Sequence, residues 1–243
     1  MPFLQKYTII PRYLTARTKR RPGIVVAPSV RFIVAHDTGN ANSTASGNVK
    51  YYKNTENNES SSAHIFVDDK EIVECIPALT ASPEKAWHVR YDITKDNELY
   101  GFNANDAAIG VEYCFGSAIN ADEAYKRYLW VIAYTCFKCN LNPQTAIVGH
   151  FVLDPNRRSD PVTGLGASGR TYEKLLKDIV TEYANCIQGI SPTPPVIPPL
   201  PPSPVSPPTP SPTPQPVPAP SPSKISILTH IRDLLARLAS FLK

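Results

Sequence analysis

The sequence predicts an α/β domain with a mixed central β-sheet flanked by helices, followed by a proline-rich linker and a C-terminal amphipathic helix. Three observations lead there. Short apolar runs of strand length, over 32–35, 62–67, 71–76, 108–115 and 146–148, are interleaved with two long stretches of helical period. Two of these runs are joined only by Asp68-Asp69-Lys70, so an antiparallel hairpin sits among strands whose other connections include helices. Finally, 17 of the 26 prolines fall within 191–223, which divides the chain into a domain over 1–190, a linker over 191–223 and a tail over 224–243.

The elements follow in order. Residues 1–30 are punctuated by proline and read as an arm on the domain surface, with Arg21-Pro22-Gly23 as a turn into Ile24-Val25-Val26. The run 32–35 is a strand that delivers His36-Asp37-Thr38-Gly39 into a loop. Val49, Tyr51 and Tyr52 suit a short helix over 46–55. In the hairpin, strand alternation puts His64 and Phe66 on one face. The run Ala86-Trp87-His88-Val89 fits neither period, whereas 108–115 is a strand that is apolar on both sides of Glu112. Over 121–139, Tyr125, Tyr128, Leu129, Ile132, Cys136 and Cys139 share one side of a helix that Asn140 and Pro143 end. The strand over 146–149 opens into a segment with two prolines, which reads as a shaped loop to Pro161 and cannot continue as a helix or a central strand. A helix over 171–187 closes the domain, with Leu175, Leu176, Ile179, Val180 and Tyr183 inward.

Composition narrows the function. The formal charge of +4 resides mostly in the tail, where Lys224, Arg232, Arg237 and Lys243 face one acid, Asp233. No basic patch with interleaved aromatics points to nucleic acid. An odd number of cysteines, five, argues against a disulfide framework and for a reducing site of synthesis. The N-terminal sequence lacks the apolar run of a secretory signal, and no stretch approaches the roughly 20 apolar residues that span a bilayer. The expectation is a protein made in the cytoplasm without a signal peptide. Polyproline geometry of about 3.1 Å per residue would let the linker hold the tail on the order of 100 Å away. In the tail, Leu228, Ile231, Leu235, Leu238 and Leu242 form an apolar stripe, which would either self-associate or lie on a membrane or wall surface.

The residues with chemistry cluster around two strand ends. His150 follows the apolar run 146–148 and Asp160 lies ten residues later, while His36 is delivered by the first strand. Two neutral imidazoles and one carboxylate, with a fourth position left to water, make an open catalytic zinc site. Glu112 lies in an otherwise apolar strand, where burial would raise its pKa toward that of a general base. The competing reading is a structural ion pair with Arg90 or Arg158. Arg157 and Arg158 offer a fixed charge for the oxyanion formed when water attacks an amide, or else a solvated loop face; one of them is expected to face the metal. His64 and His88 would line the pocket and bind substrate, or be satisfied core imidazoles. Cys136 and Cys139 have no second pair and read as core.

With these motifs assembled, the chain resembles the zinc-dependent N-acetylmuramoyl-L-alanine amidases, a family that includes phage endolysins and bacterial autolysins and is related to the peptidoglycan recognition proteins. The resemblance covers about residues 21–187. It rests on Arg21-Pro22-Gly23, His36 through Gly39, Ser62-Ala63-His64 with the hairpin, Ala86-Trp87-His88, Ile109 through Glu112, and Gly149-His150 through Asp160-Pro161. It implies a zinc ion on His36, His150 and Asp160, a catalytic Glu112, and hydrolysis of the amide between N-acetylmuramic acid and L-alanine in peptidoglycan. Arg158 stands where the family usually has lysine, which keeps a charge but not a readily released proton. Ala63 stands where some relatives have a catalytic tyrosine, so the base function falls on Glu112. The resemblance is also compatible with a non-catalytic peptidoglycan-binding protein, which both Asp160 and Glu112 argue against. A scaffold built on the tail would make the groove dispensable.

Overall fold

The computed structural model describes residues 2–188; the expectations for the linker and the tail lie outside the described residues. Six strands form one sheet in the order β1-β4-β3-β5-β2-β6, comprising β1 (Ile9–Pro11), β2 (Phe32–Asp37), β3 (Ile65–Val67), β4 (Ile72–Glu74), β5 (Ala108–Tyr113) and β6 (Ile147–Gly149). Only β3 and β4 pair antiparallel, and all other neighbours are parallel. The hairpin turns where predicted, because the Asp68 carboxylate accepts hydrogen bonds from the Lys70 and Glu71 N–H groups. This is the mixed sheet the sequence predicts.

Strand alternation sorts the side chains into two faces. Ile33, Ala35, Ile65, Val67, Ile109 and Val111 point to one face, where α4 (Ala121–Lys138) and α7 (Tyr172–Gln188) cover them with Tyr128, Ile132, Leu175 and Ile179. Cys136 is buried in this cluster and Cys139 packs against it, as its apolar helix face predicts. The start of α4 is fixed by Asn120, whose side chain accepts from the Asp122 and Glu123 N–H groups, a cap of about 1 kcal/mol.

The opposite face is covered in two separate patches. Phe66 and Val73 lie under Ala45 and Val49 of α1 (Ala45–Asn54). Phe32, Val34, Ala108 and Val148 lie under Ala104 of α3 (Ala104–Ala107) and Leu153 of α5 (His150–Leu153). A groove lies on this face at the carboxyl ends of β2 and β5.

Three features depart from the sequence expectations. The N-terminal arm is more than a surface wrap, because Ile9–Pro11 pairs with β4 as an edge strand and the Arg20 side chain is 1% exposed. Two short helices, α2 (Lys95–Tyr100) and α6 (Val162–Gly166), fill stretches with too few residues to display a period. His150 does not end a strand within a continuous loop: β6 stops at Gly149 and His150 begins the one-turn α5. That turn ends at Asp154, which precedes Pro155 and is held out of helical geometry at φ −138°.

Candidate active site

Three central strands set the site. His36 of β2 is in parallel register with Glu112 of β5, which is in turn in register with Phe66 of β3. Residues in register on parallel strands share a face, so His36 and Glu112 stand side by side. The Tyr128 hydroxyl donates to the His36 carbonyl at 3.0 Å and holds the backbone there. His150 joins from the adjacent β6–α5 junction. Asp160 is returned to it by the 154–160 loop, which the Phe151 N–H closes on the Asp160 carbonyl at 3.0 Å.

Together these elements bring all three candidate ligands to one point. His36 Nδ1 is 2.8 Å and His150 Nδ1 is 3.1 Å from the same oxygen, Asp160 Oδ2. All three side chains are buried, and the two rings meet at 77°. Burial pulls the His36 pKa down to about 4, against the hydrogen bond to Asp160, so its imidazole is neutral near pH 7. For Asp160, burial acts upward, but the hydrogen bonds from His150 and His36 outweigh it and hold the carboxyl well below its usual range. His150 Nε2 is buried without a hydrogen-bond partner, so no neighbour on that side dictates which ring nitrogen carries the proton. Two imidazoles and an ionised carboxylate converging in this way fit a small divalent cation.

Glu112 is half-buried, and its Oε2 is enclosed with no partner. Burial pushes its carboxyl well above the usual value; the Asp160 and Asp37 charges add to this and Arg158 opposes it. The competing ion pair with Arg90 is excluded because Arg90 is engaged with Asp92. Arg157 pairs with Asp154, while Arg158 has no ion pair among the described residues; both line the groove.

The two remaining histidines separate. His64 is fully buried, accepting from the Gly110 N–H at Nδ1 and donating to the Glu84 carbonyl through Nε2. It has no ring nitrogen left for a substrate, which corrects the expectation that it lines the pocket. His88 borders the groove, but its Nδ1 is 3.0 Å from His36 Nε2 and its Nε2 is 3.2 Å from the Ala104 carbonyl. It too is committed to protein partners and not to an incoming ligand.

The groove encloses about 370 Å³ above His36 and Glu112. Tyr52 of α1 forms part of its wall, a role that sequence reading did not assign. Its ring meets Phe66 edge-on at 5.2 Å, and the Arg20 guanidinium lies 4.2 Å above it. Arg20 also donates to Thr55, Glu59 and the Ser61 carbonyl, and so ties the arm to the rim of the groove. Asp37, on the other side of β2, accepts from the Gly164 and Gly39 N–H groups and anchors α6 behind the site. Helical spacing of Val49 and Tyr52 is a sequence signal for the first of these residues. Arg20 gives no such signal, because a basic residue in an arm reads as solvated.

A family model described as N-acetylmuramoyl-L-alanine amidase matches residues 27–163, more than half of the chain. The N-acetylmuramoyl-L-alanine amidase BlyA of Bacillus subtilis (strain 168) is 30% identical over 146 residues, 57% of this chain and 38% of BlyA. The chain thus spans about two fifths of the length of that curated relative. Among solved structures, the catalytic domain of XlyA is similar with a TM-score of 0.56 at 24% identity, covering 71% of this chain and 99% of that one. The Staphylococcus aureus hydrolase AmiA, solved in complex with its ligand, gives 0.60 at 21% identity, covering 78% and 90%. A mutant endolysin from Bacillus subtilis gives 0.52 at 22% identity, covering 74% and 99%. At these identities the structural likeness bears on the fold.

Proposed function

The chain belongs to the N-acetylmuramoyl-L-alanine amidase family, and from that premise we propose that it hydrolyses the amide between N-acetylmuramic acid and L-alanine in peptidoglycan, using a zinc ion held by His36, His150 and Asp160. The observation that carries this reading is the meeting of His36 Nδ1, His150 Nδ1 and Asp160 Oδ2 on the same sheet face as the unpartnered Oε2 of Glu112. A zinc ion held by these residues would supply Lewis acidity and bring the pKa of water near 7.

The remaining steps belong to the chain. Glu112, whose proton affinity is raised by burial and by nearby carboxylates, takes the proton of the attacking water as the bond to the carbonyl carbon forms. Arg158, at the mouth of the groove, stabilises the negative charge that develops on the carbonyl oxygen. Glu112 then returns its proton to the leaving amine of L-alanine, which restores the carboxylate for the next cycle. Arginine suits the electrostatic role and not the proton transfer, because it does not deprotonate in proteins. Arg158→Ala is therefore expected to lower kcat about 10²-fold, and Arg158→Lys less than about 10-fold, in a single-turnover assay on purified muropeptide. Equal losses in the two variants would remove the charge argument.

The direct test is clearing of a purified peptidoglycan suspension, with the new N-terminal alanine quantified. Clearing with alanine ends, lost on chelation and restored by zinc, is the expected result. Sedimentation of zinc-loaded protein with walls that it fails to cut would instead favour a peptidoglycan-binding protein.

A further inference from the structure

His88 is buried, and the proposed metal chemistry leaves it unused. Its place is nonetheless tightly specified. The Asn105 side chain accepts from the His88 and Val89 N–H groups and donates to the Val89 carbonyl. Beneath the ring lies Gly110 of β5, where a Cβ would come within 2.8 Å of His88 Nδ1. A glycine inside a strand marks such a close approach. The ring is thus fixed with one nitrogen on a carbonyl and the other on a candidate ligand.

Proton bookkeeping then leaves two arrangements of the neutral rings, and the first keeps the Ala104 hydrogen bond. The Ala104 carbonyl can only accept, so His88 Nε2, 3.2 Å away, carries the proton. A neutral ring has one such proton, so His88 Nδ1 is an acceptor. His36 Nε2, 3.0 Å from it, must be the donor. His36 Nδ1 is then left with a bare lone pair 2.8 Å from the Asp160 carboxylate, a repulsive contact unless a cation lies between them. In the reverse arrangement, with His36 donating to Asp160, lone pairs face each other at His88 Nε2 and the Ala104 oxygen; a lone pair against a neutral carbonyl costs less than one against a carboxylate, so this arrangement belongs to the metal-free protein and a cation on His36 Nδ1 selects the first.

We propose that His88 is a positioning residue for the metal: by accepting the His36 Nε2 proton while donating to the Ala104 carbonyl, it holds the His36 tautomer that offers Nδ1 to the cation. The proposal rests on the metal reading given above and names the residue that tunes it. A partner on the far nitrogen of a ligating histidine typically sets metal affinity by about 10- to 100-fold. Here that partner is itself a histidine, which passes the direction of a backbone carbonyl across two rings.

The test compares wild type, His88→Leu and His88→Asn, with folding checked by circular dichroism. Zinc affinity is measured by chelator competition, and the histidine tautomers of the zinc-loaded and metal-free protein by long-range proton–nitrogen spectra. The expected spectra have His88 protonated at Nε2 with zinc bound and at Nδ1 without it. In His88→Leu, the His36 Nε2 proton has no acceptor, and zinc binds about 10- to 100-fold more weakly. In His88→Asn, an oxygen can occupy the acceptor place of Nδ1, so part of the affinity returns. His88 protonated at Nδ1 in the zinc-loaded wild type would overturn the relay, as would undiminished zinc affinity in His88→Leu. Should His88→Leu not fold, the wild-type spectrum and His88→Asn decide the matter alone. A wild type that takes up no zinc overturns the metal reading and this proposal with it, whereas zinc uptake unaffected by residue 88 overturns the relay only.

Discussion

Glu112→Gln is expected to lower the rate of wall hydrolysis by about 10²- to 10⁴-fold, the contribution of a positioned general base, while zinc content stays at the wild-type level. Glutamine keeps the shape of the side chain but cannot take a proton from water or return one to the amine. The same substitution should stabilise the metal-free protein at pH 7. The carboxyl is held well above its usual value, first by burial and then by the Asp160 and Asp37 charges. The folded state therefore binds this proton more tightly than the unfolded chain does. The associated stability is fully present below the unfolded value of about 4.5 and is lost as pH rises through the folded one. At pH 7 the wild type bears the cost of an enclosed charge with an unpartnered oxygen, about 1–3 kcal/mol for such a group. Relief of about 1 kcal/mol corresponds to a melting temperature about 2–4 °C higher in a domain of this size. The difference should vanish near pH 4. Equal melting temperatures at pH 7, or loss of zinc along with activity, would show that Glu112 has another role.

Asp160→Ala should have the largest effect of any single change. It removes the oxygen on which both His36 and His150 converge and leaves two imidazoles, one with a buried nitrogen already lacking a partner. The expected outcome is no stoichiometric zinc after gel filtration and hydrolysis below detection. The thermal stabilisation that added zinc gives the wild type, which grows as RT ln(1 + [L]/Kd), should disappear as well. That last readout is independent of catalysis. A variant still stabilised by micromolar zinc would mean that the cation is held elsewhere.

The convergence of His36 and His150 was legible in the sequence because each histidine follows a short apolar run, which marks a strand carrying a polar residue to its end. What a linear reading cannot supply is register. His36 and Glu112 are 76 positions apart, and only the parallel pairing of β2 with β5 makes them neighbours. His64 and His88 look alike as motifs, each beside an apolar partner, yet one is saturated by backbone groups and the other touches His36. The difference depends on the absence of a side chain at Gly110, on a third segment. The short elements were missed for a different reason. Ile9–Pro11 ends in a proline, tolerated because β1 is an edge strand, and α5 has a single turn, too brief for any period to show.

The insertion of Arg20 between the aromatic pair of α1 and the Ser61 carbonyl also determines how the domain comes apart. The arm and the α1 wall of the groove share this clasp, whereas His36 is carried by β2, His150 by the β6–α5 junction and Asp160 by the loop that the Phe151 N–H closes. Local opening that frees the arm would therefore loosen the wall long before it separates these three side chains, and the two events should exchange amide hydrogens at different rates. Proteolysis within the first twenty residues is then expected to loosen the α1 wall while His36, His150 and Asp160 stay together.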